Sequence, residues 1–138
     1  MKELIKGRSY GTNAQNIYIE GCNSFSWDIS KIEKFGMRRP LYAKDSAEEG
    51  ISVWFLAHSN WMENDHINHK NFIYPGEETI KEYYFNNKRP DITDQTNRLV
   101  FAKKKKDGRY YFVGIFEIIE KTDQAILYKR TSGTYSSN

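Results

Sequence analysis

The chain has 138 residues, of which 28% are charged and 15% are aromatic, and its formal net charge is +3. This length suits one domain, residues 1–138, and the small net charge makes any binding of nucleic acid depend on where the cations lie. The single cysteine, Cys22, excludes an internal disulfide, and no apolar run has the length of a signal-peptide core or a membrane span, so we expect a cytoplasmic protein with no membrane partner.

The first third of the chain predicts loops and short helices. Gly7–Asn16 is rich in Gly, Ser and Asn and is expected to be a loop. Apolar residues recur at helical spacing in Asn13–Gly21 and again in Asp28–Phe35. A short helix is therefore predicted in each of these segments, and Gly36 is a natural stop for the second one.

The middle of the chain predicts a buried strand, a polar loop and a helix. Ile51–His58 is an almost unbroken apolar run, which is typical of a central strand buried on both faces. The polar segment Ser59–Asn71 is long enough for a functional loop. A helix is predicted over Pro75–Asn87, because three apolar residues share one face at helical spacing and two glutamates lie near its start.

A long β-hairpin over residues 97–119 is the clearest prediction from the sequence. Apolar runs occupy both arms, and Asp107-Gly108 between them is typical of a two-residue turn with positive φ. Pairing across this turn places Phe101 opposite Gly114. The glycine then either lets the phenylalanine ring lie over the backbone or marks a bulge in a curved sheet.

These elements together predict the fold class. Both faces of the hairpin are apolar near its base, a last strand is predicted over Ala125–Arg130, and a flexible tail is predicted over Ser132–Asn138. We therefore expect an α+β domain in which one or two to three short helices pack on a strongly curled, barrel-like, mostly antiparallel sheet.

The turn of the hairpin carries a block of positive charge, and a further basic pair lies before the predicted strand Ile51–His58. Lysine and arginine bind phosphates with release of counterions, so these side chains are candidates for contact with nucleic acid. The candidates are Lys103, Lys104, Lys105, Lys106, Arg109, Arg38 and Arg39. The alternative is that the lysines only solubilise an exposed hairpin end and prevent pairing of sheet edges.

A second candidate site combines aromatic and polar residues at the end of the predicted central strand. A pocket that receives a base needs rings for stacking and polar groups that read the edge of the base. Such residues are Trp54, His58, Ser59, Asn60 and Trp61. The alternative, strongest for Trp54, is that the rings pack in the core.

Three histidines, His58, His66 and His69, lie within one short segment. They leave open a metal-dependent hydrolase or nuclease, but there is no cysteine partner and no strong helix to hold a zinc site. No Ser-His-Asp spacing, phosphate-binding loop or dinucleotide motif is present. We therefore expect a protein that is not an enzyme and that uses neither a metal nor another cofactor.

Three segments carry a resemblance to known modules: SVWFLAHSNW (Ser52–Trp61), RLVFAKKKKDGRYYFVGIFEI (Arg98–Ile118) and LYKR (Leu127–Arg130). They resemble the small bacterial β-barrel modules of the PUA-like, ASCH and EVE type, which accompany HNH nucleases and restriction systems. The resemblance implies an aromatic pocket for a modified base or an RNA, with Trp61 and Asn60 in it.

The leading interpretation is thus a module that binds DNA or RNA. A basic hairpin would grip phosphates, and the aromatic pocket would read a flipped or modified base. The alternative is a protein-interaction module whose partner belongs to a phage, a defence system or another mobile element.

Overall fold

The computed structural model describes residues 2–29, 46–48, 51–56, 69–84, 97–104 and 106–136. This part of the chain forms one α-helix and ten β-strands. In chain order they are β1 (Glu3–Ile5), β2 (Ser9–Gly11), α1 (Ala14–Phe25), β3 (Ser46–Glu48), β4 (Ile51–Leu56), β5 (His69–Ile73), β6 (Thr79–Tyr84), β7 (Asn97–Lys103), β8 (Tyr110–Lys121), β9 (Ala125–Ser132) and β10 (Thr134–Ser136). No helix in the described ranges is long and apolar enough to cross a membrane.

Eight of the strands belong to one sheet. Seven of them follow the order β3-β4-β7-β8-β9-β6-β5, and β2 pairs with β8 beside this path. The neighbours β4 and β7 are parallel, whereas the other neighbouring pairs are antiparallel. The order begins at β3 and ends at β5 without pairing these two strands, so the sheet is open.

The prediction of a barrel-like α+β domain is therefore wrong. In the described ranges the sheet does not close, and α1 is the one helix. The prediction rested on apolar side chains on both faces of the strands, which a closed barrel would explain. An open sheet with a separate apolar layer on each face explains the same pattern.

Strand β4 shows the two layers most clearly, because alternate side chains point to opposite faces. Val53 and Phe55 enter the apolar cluster on the face covered by α1, which we call the helix face. Trp54 and Leu56 enter a second cluster on the other side, which we call the far face. Four of the residues in this strand are thus divided between two cores, and the predicted burial of β4 on both faces is confirmed.

Helix α1 covers the helix face and is longer than predicted. It begins after Asn13, whose side chain accepts a hydrogen bond from the backbone N–H of Asn16 at 3.0 Å. It continues through Gly21, and the ring of Trp27 packs against that position, where a Cβ would lie 2.0 Å from a ring carbon. Ser26 in the left-handed conformation ends the helix.

Over residues 75–84, the segment predicted as a helix (Pro75–Asn87) is instead a turn followed by strand β6, and residues 85–87 lie outside the described ranges. The backbone N–H of Tyr74 donates to the carbonyl of Thr79 at 3.0 Å across this turn. Ile80 and Glu82 are buried while the residues between and after them are half-buried, which is the two-residue period of a strand. The apolar residues of this segment fit helical spacing as well, and partner strands on both sides decide the outcome.

Strands β7 and β8 form the predicted hairpin, but its turn is wider than the predicted two residues. The N–H of Lys104 donates to the carbonyl of Arg109 at 2.9 Å, and the N–H of Gly108 donates to the carbonyl of Lys104 at 2.8 Å. The carboxylate of Asp107 also accepts from the N–H of Arg109 at 3.0 Å. This side-chain hydrogen bond stabilises a four-residue loop in place of a two-residue turn.

Gly114 marks a β-bulge, which was one of its two predicted roles. Phe101 faces Phe112 rather than Gly114, and the register shifts so that Val100 faces the glycine. The φ of Gly114 is +136°, and a Cβ there would lie 2.5 Å from Cδ of Arg130. A side chain at this position would therefore be strained and would also clash with a neighbouring strand.

The two ends of the described chain pair with each other. Leu4 of β1 faces Tyr135 of β10, and Leu4 is fully buried in the cluster on the helix face. The predicted flexible tail over Ser132–Asn138 therefore includes a strand. It is held by this pairing and by the hydroxyl of Tyr135, which accepts from Nε1 of Trp27 at 3.4 Å.

Candidate functional site

Positive charge from two distant segments meets at the turn of the β7–β8 hairpin. The N–H of Gly7 donates to the carbonyl of Phe112 at 2.9 Å, and the N–H of Phe112 donates to the carbonyl of Arg8 at 3.0 Å. This pairing, together with the hydrogen bond between Ser9 and Arg109, places the backbone of Arg8 beside β8 close to the turn. We call the resulting surface the basic edge, and its described cations are Arg8, Lys103, Lys104, Lys106 and Arg109.

The last lysine of β7 and the lysine that follows it rest on tyrosine rings on opposite faces of the sheet. The Nζ atom of Lys103 lies 5.6 Å from the ring centroid of Tyr110, and that of Lys104 lies 4.3 Å from the ring centroid of Tyr111. Tyr110 is itself held edge-on against Phe55, with ring centroids 5.4 Å apart. The ring faces attract the ammonium groups and so restrict where both lysines can point.

The carboxylate of Asp107 organises the turn itself. It accepts hydrogen bonds from the N–H of Arg109 at 3.0 Å and from the hydroxyl of Tyr111 at 2.5 Å. The hydrogen bond from Tyr111 and then that from the backbone of Arg109 lower the pKa of Asp107, and the charges of Arg109 and Lys104 act in the same direction. The same hydrogen bond raises the pKa of the Tyr111 hydroxyl.

The side chain of Arg109 links the turn to β2. Its Nε atom donates to Oγ of Ser9 at 2.7 Å. Because β2 runs alongside β8 as far as Tyr110, the turn is not an isolated prong. It is the end of a sheet at least three strands wide. The basic edge therefore presents several separate cations along a surface. This arrangement suits a polyanion better than a single small anion.

A second group of polar side chains is buried on the far face. Arg98 is fully buried, and its guanidinium carbon lies 5.2 Å from the ring centroid of Tyr128. The hydroxyl of Tyr128 donates to Oε1 of Glu82 at 2.9 Å. The ring of Trp54 lies 5.1 Å from that of Tyr128, so the polar group is in contact with the aromatic core.

Burial governs the ionisation of Glu82. Desolvation raises the pKa of this carboxyl group to about 7, and the hydrogen bond from Tyr128 and the charge of Arg98 oppose the shift without cancelling it. A carboxyl group with this pKa titrates near neutral pH. Above that pH it is ionised and only accepts hydrogen bonds, and below that pH it is protonated and can also donate one.

The structure places five of the twelve predicted site residues. Lys103, Lys104, Lys106 and Arg109 lie together in the basic edge, and Trp54 is 4% exposed in the far-face cluster. The surroundings of Trp54 thus agree with the alternative that its ring packs in the core. The remaining predicted residues lie outside the described ranges: Lys105, Arg38, Arg39, His58, Ser59, Asn60 and Trp61.

Sequence reasoning missed Arg8 and the buried group of Glu82, Arg98 and Tyr128. The β2–β8 pairing that positions Arg8 joins residues about a hundred positions apart, and no local pattern indicates it. A strand pattern around Glu82 would have revealed a charged residue at a core position, which is a signal for a buried polar group.

No metal site is visible among the residues with described positions: there, no three His, Cys, Asp or Glu side chains are grouped as a metal would require. His58 and His66 lie outside the described ranges, and of His69 the structure describes the backbone, in β5. The metal-dependent enzyme built on these histidines, the less favoured alternative from the sequence, is therefore not tested.

No protein-family model matches the chain, and no curated protein matches it. Among solved structures, it is similar to the 5-hydroxymethylcytosine-specific restriction enzyme AbaSI, with 24% sequence identity and a TM-score of 0.46. The match covers 64% of this chain and 30% of that enzyme, so the chain spans less than a third of the enzyme's length. A likeness at this level assigns neither a family nor a function, and the basic edge and the buried polar group remain the two features on which a function can be built.

Proposed function

We propose that the protein binds nucleic acid through the basic edge. The observation that carries the proposal is the convergence of five described cations at one end of the sheet, in a chain whose net charge is only +3. Two of the lysines are oriented by tyrosine rings, and Arg109 is oriented by Ser9. Side chains that are oriented before binding lose less entropy when they contact phosphates.

Binding of this kind is driven mainly by electrostatics. Each phosphate that a lysine or arginine neutralises releases counterions into solution. The free energy gained from this release becomes smaller as the salt concentration rises, so the affinity falls. The proposal also assigns phosphate contact to Arg38, Arg39 and Lys105, which lie outside the described ranges. Such contacts position a nucleic acid but carry no sequence information directly, so specificity requires a second site.

The proposed second site is a pocket for a flipped or modified base, built around the segment that follows β4. Asn60 and Trp61 would contact the base, and His58 and Ser59 would complete the surroundings. Support comes from the chemistry of these side chains, which combine a stacking ring with an amide and a hydroxyl group.

The proposal for the basic edge is tested by comparing two triple variants with the same change of charge. In the edge variant, Lys103, Lys104 and Lys106 are replaced by Gln; in the control variant, the lysines replaced by Gln are Lys81, Lys121 and Lys129, in the far half of the sheet. At low salt, the edge variant should bind labelled duplex DNA or RNA at least about tenfold more weakly than the unaltered protein, and the control should bind almost normally. Equal affinities of the two variants would contradict the proposal and favour the protein-interaction alternative.

The proposal for the pocket needs a different comparison. Trp61→Ala and Asn60→Ala should reduce the preference for a duplex that contains one mismatched or modified base over a fully paired duplex, because such a base leaves the stack more easily. Affinity for the fully paired duplex should change little. If the unaltered protein shows no such preference, the pocket proposal fails while the proposal for the basic edge still stands.

A further inference from the structure

The turn of the basic edge holds an anion that belongs to the protein itself. The two carboxylate oxygens of Asp107 accept from the N–H of Arg109 and from the hydroxyl of Tyr111. The ammonium group of Lys104 lies on the ring of Tyr111, on the same face of the hairpin. Asp107 is exposed, so these donors surround an anion at the surface rather than in the core.

Donors of this kind are the ones that bind phosphate in proteins: a backbone N–H, a hydroxyl group and nearby cations. A carboxylate and a phosphate use the same geometry, with oxygens as acceptors and negative charge facing lysine or arginine. The turn therefore has the composition of an anion-binding site, and the side chain of Asp107 is its occupant in the structure.

We propose that Asp107 occupies a phosphate site at the turn and that a phosphate of the bound nucleic acid takes its place. The inference rests on the proposed function for the identity of the partner. On binding, the Tyr111 hydroxyl and the Arg109 N–H change from the carboxylate to a phosphate oxygen, and Asp107 turns toward solvent. Asp107 is thus a built-in competitor that weakens binding at the basic edge and keeps it reversible.

An ordinary structural role for Asp107 makes a different prediction. Aspartate at this position of a turn often accepts from the backbone N–H two residues later, simply to stabilise the turn. In that case, removing the carboxylate would change affinity only through the lost negative charge, and Asp107→Asn and Asp107→Ala would behave alike. Under the proposal they differ, because asparagine still occupies the site: its Oδ1 accepts from the Arg109 N–H and its side-chain NH2 donates to the Tyr111 hydroxyl oxygen. Alanine leaves both groups free.

The test measures the affinity of these variants for a labelled DNA duplex at constant salt. Asp107→Asn should bind about two- to fivefold more tightly than the unaltered protein, as expected for an exposed charge. Asp107→Ala should gain about threefold more than that, because the freed donors bond to the phosphate. Tyr111→Phe should remove this extra gain when combined with Asp107→Ala and should have little effect alone. Asp123→Asn, an exposed carboxylate in the β8–β9 turn, is the matched control and should leave the affinity nearly unchanged.

Equal affinities of the two Asp107 variants, or an equal effect of Tyr111→Phe in both backgrounds, would overturn the inference. Amide spectra verify that the hairpin remains folded in every variant. A titration with inorganic phosphate separates this inference from the proposed function, because the Arg109 amide signal should shift in Asp107→Ala at concentrations that leave the unaltered protein unchanged. If it does so in a protein that binds no DNA or RNA, the anion site stands and the proposed function fails; if it does not shift, the anion site is wrong.

Discussion

At the scale of single residues, Glu82 links the stability of the fold to pH. Its carboxyl group is buried, and desolvation raises its pKa from an ordinary value of 4.5 to about 7. The folded state therefore binds the proton more strongly than the unfolded state does. The stabilisation from the protonated form is complete below the ordinary pKa and is lost as the pH rises through the folded value.

The free energy of unfolding should therefore contain a contribution from Glu82 that decreases between about pH 5 and pH 7, by about 3 kcal/mol in total. Glu82→Gln keeps the acceptor for Tyr128 and removes the titration, so this decrease should disappear. Glu120→Gln, a glutamate exposed on β8, should keep the pH profile of the unaltered protein. Urea denaturation at a series of pH values measures the effect; parallel profiles for Glu82→Gln and the unaltered protein would show that Glu82 is not the responsible group.

At the scale of the elements, the packing of α1 depends on the close contact between Gly21 and Trp27. A methyl group at Gly21 would lie 2.0 Å from a carbon of the indole ring, so the ring or the helix would have to move. Alanine is otherwise a better helix former than glycine, and propensity alone predicts stabilisation by about 1 kcal/mol. The steric effect should dominate, because the ring is held in a core of tightly packed aromatic side chains.

Gly21→Ala should therefore lower the free energy of unfolding by about 1 to 3 kcal/mol. Gly133→Ala provides the control, since a methyl group there would meet only the side chain of Lys6, with Cβ at 3.5 Å and Cδ at 3.8 Å, which are ordinary contacts. Thermal or urea denaturation of the two variants compares them directly. A Gly21→Ala protein as stable as the unaltered one would mean that the helix and the indole ring do not pack as described.

The elements that the sequence predicts well are those with local signals. Two apolar segments around a turn sequence predict the hairpin of β7 and β8. The unbroken apolar run of β4 predicts the burial of this strand on both faces. Strand β6 was mistaken for a helix because its apolar residues satisfy both periods, and only the partner strands β5 and β9 decide between them. Closure of the sheet also depends on distant pairings, which no local pattern contains.

The same division applies to the candidate site. The lysines of the turn are adjacent in the sequence, so their grouping is predicted without a structure. Arg8 joins them only through pairing of β2 with β8, and Arg98 meets Glu82 only because β7 and β6 belong to one sheet. The role of Asp107 at the turn was missed because its two hydrogen-bond donors become neighbours only when the four-residue loop forms.

At the scale of the whole molecule, each face of the sheet carries a buried apolar cluster, and the end of the sheet at the β7–β8 turn carries the basic edge. The helix face is covered by α1 and by the paired ends of the chain, and the far face holds the aromatic cluster with its buried polar group. Of the cations of the basic edge, Lys103 ends β7 and the others lie in the turn or next to a strand, where tyrosine rings orient Lys103 and Lys104 and Ser9 orients Arg109. Several oriented cations at one end of the sheet favour contact with a regular, repeating anion such as a nucleic-acid backbone.

The salt dependence of nucleic-acid binding tests this central claim most directly. For the unaltered protein, the logarithm of the association constant should fall linearly with the logarithm of the salt concentration. Replacement of Lys103, Lys104 and Lys106 by Gln should reduce the slope by about one for each lysine that contacts a phosphate, whereas the control variant of Lys81, Lys121 and Lys129 should keep the original slope. Identical slopes for the two triple variants would contradict the claim that the basic edge is where the nucleic acid binds.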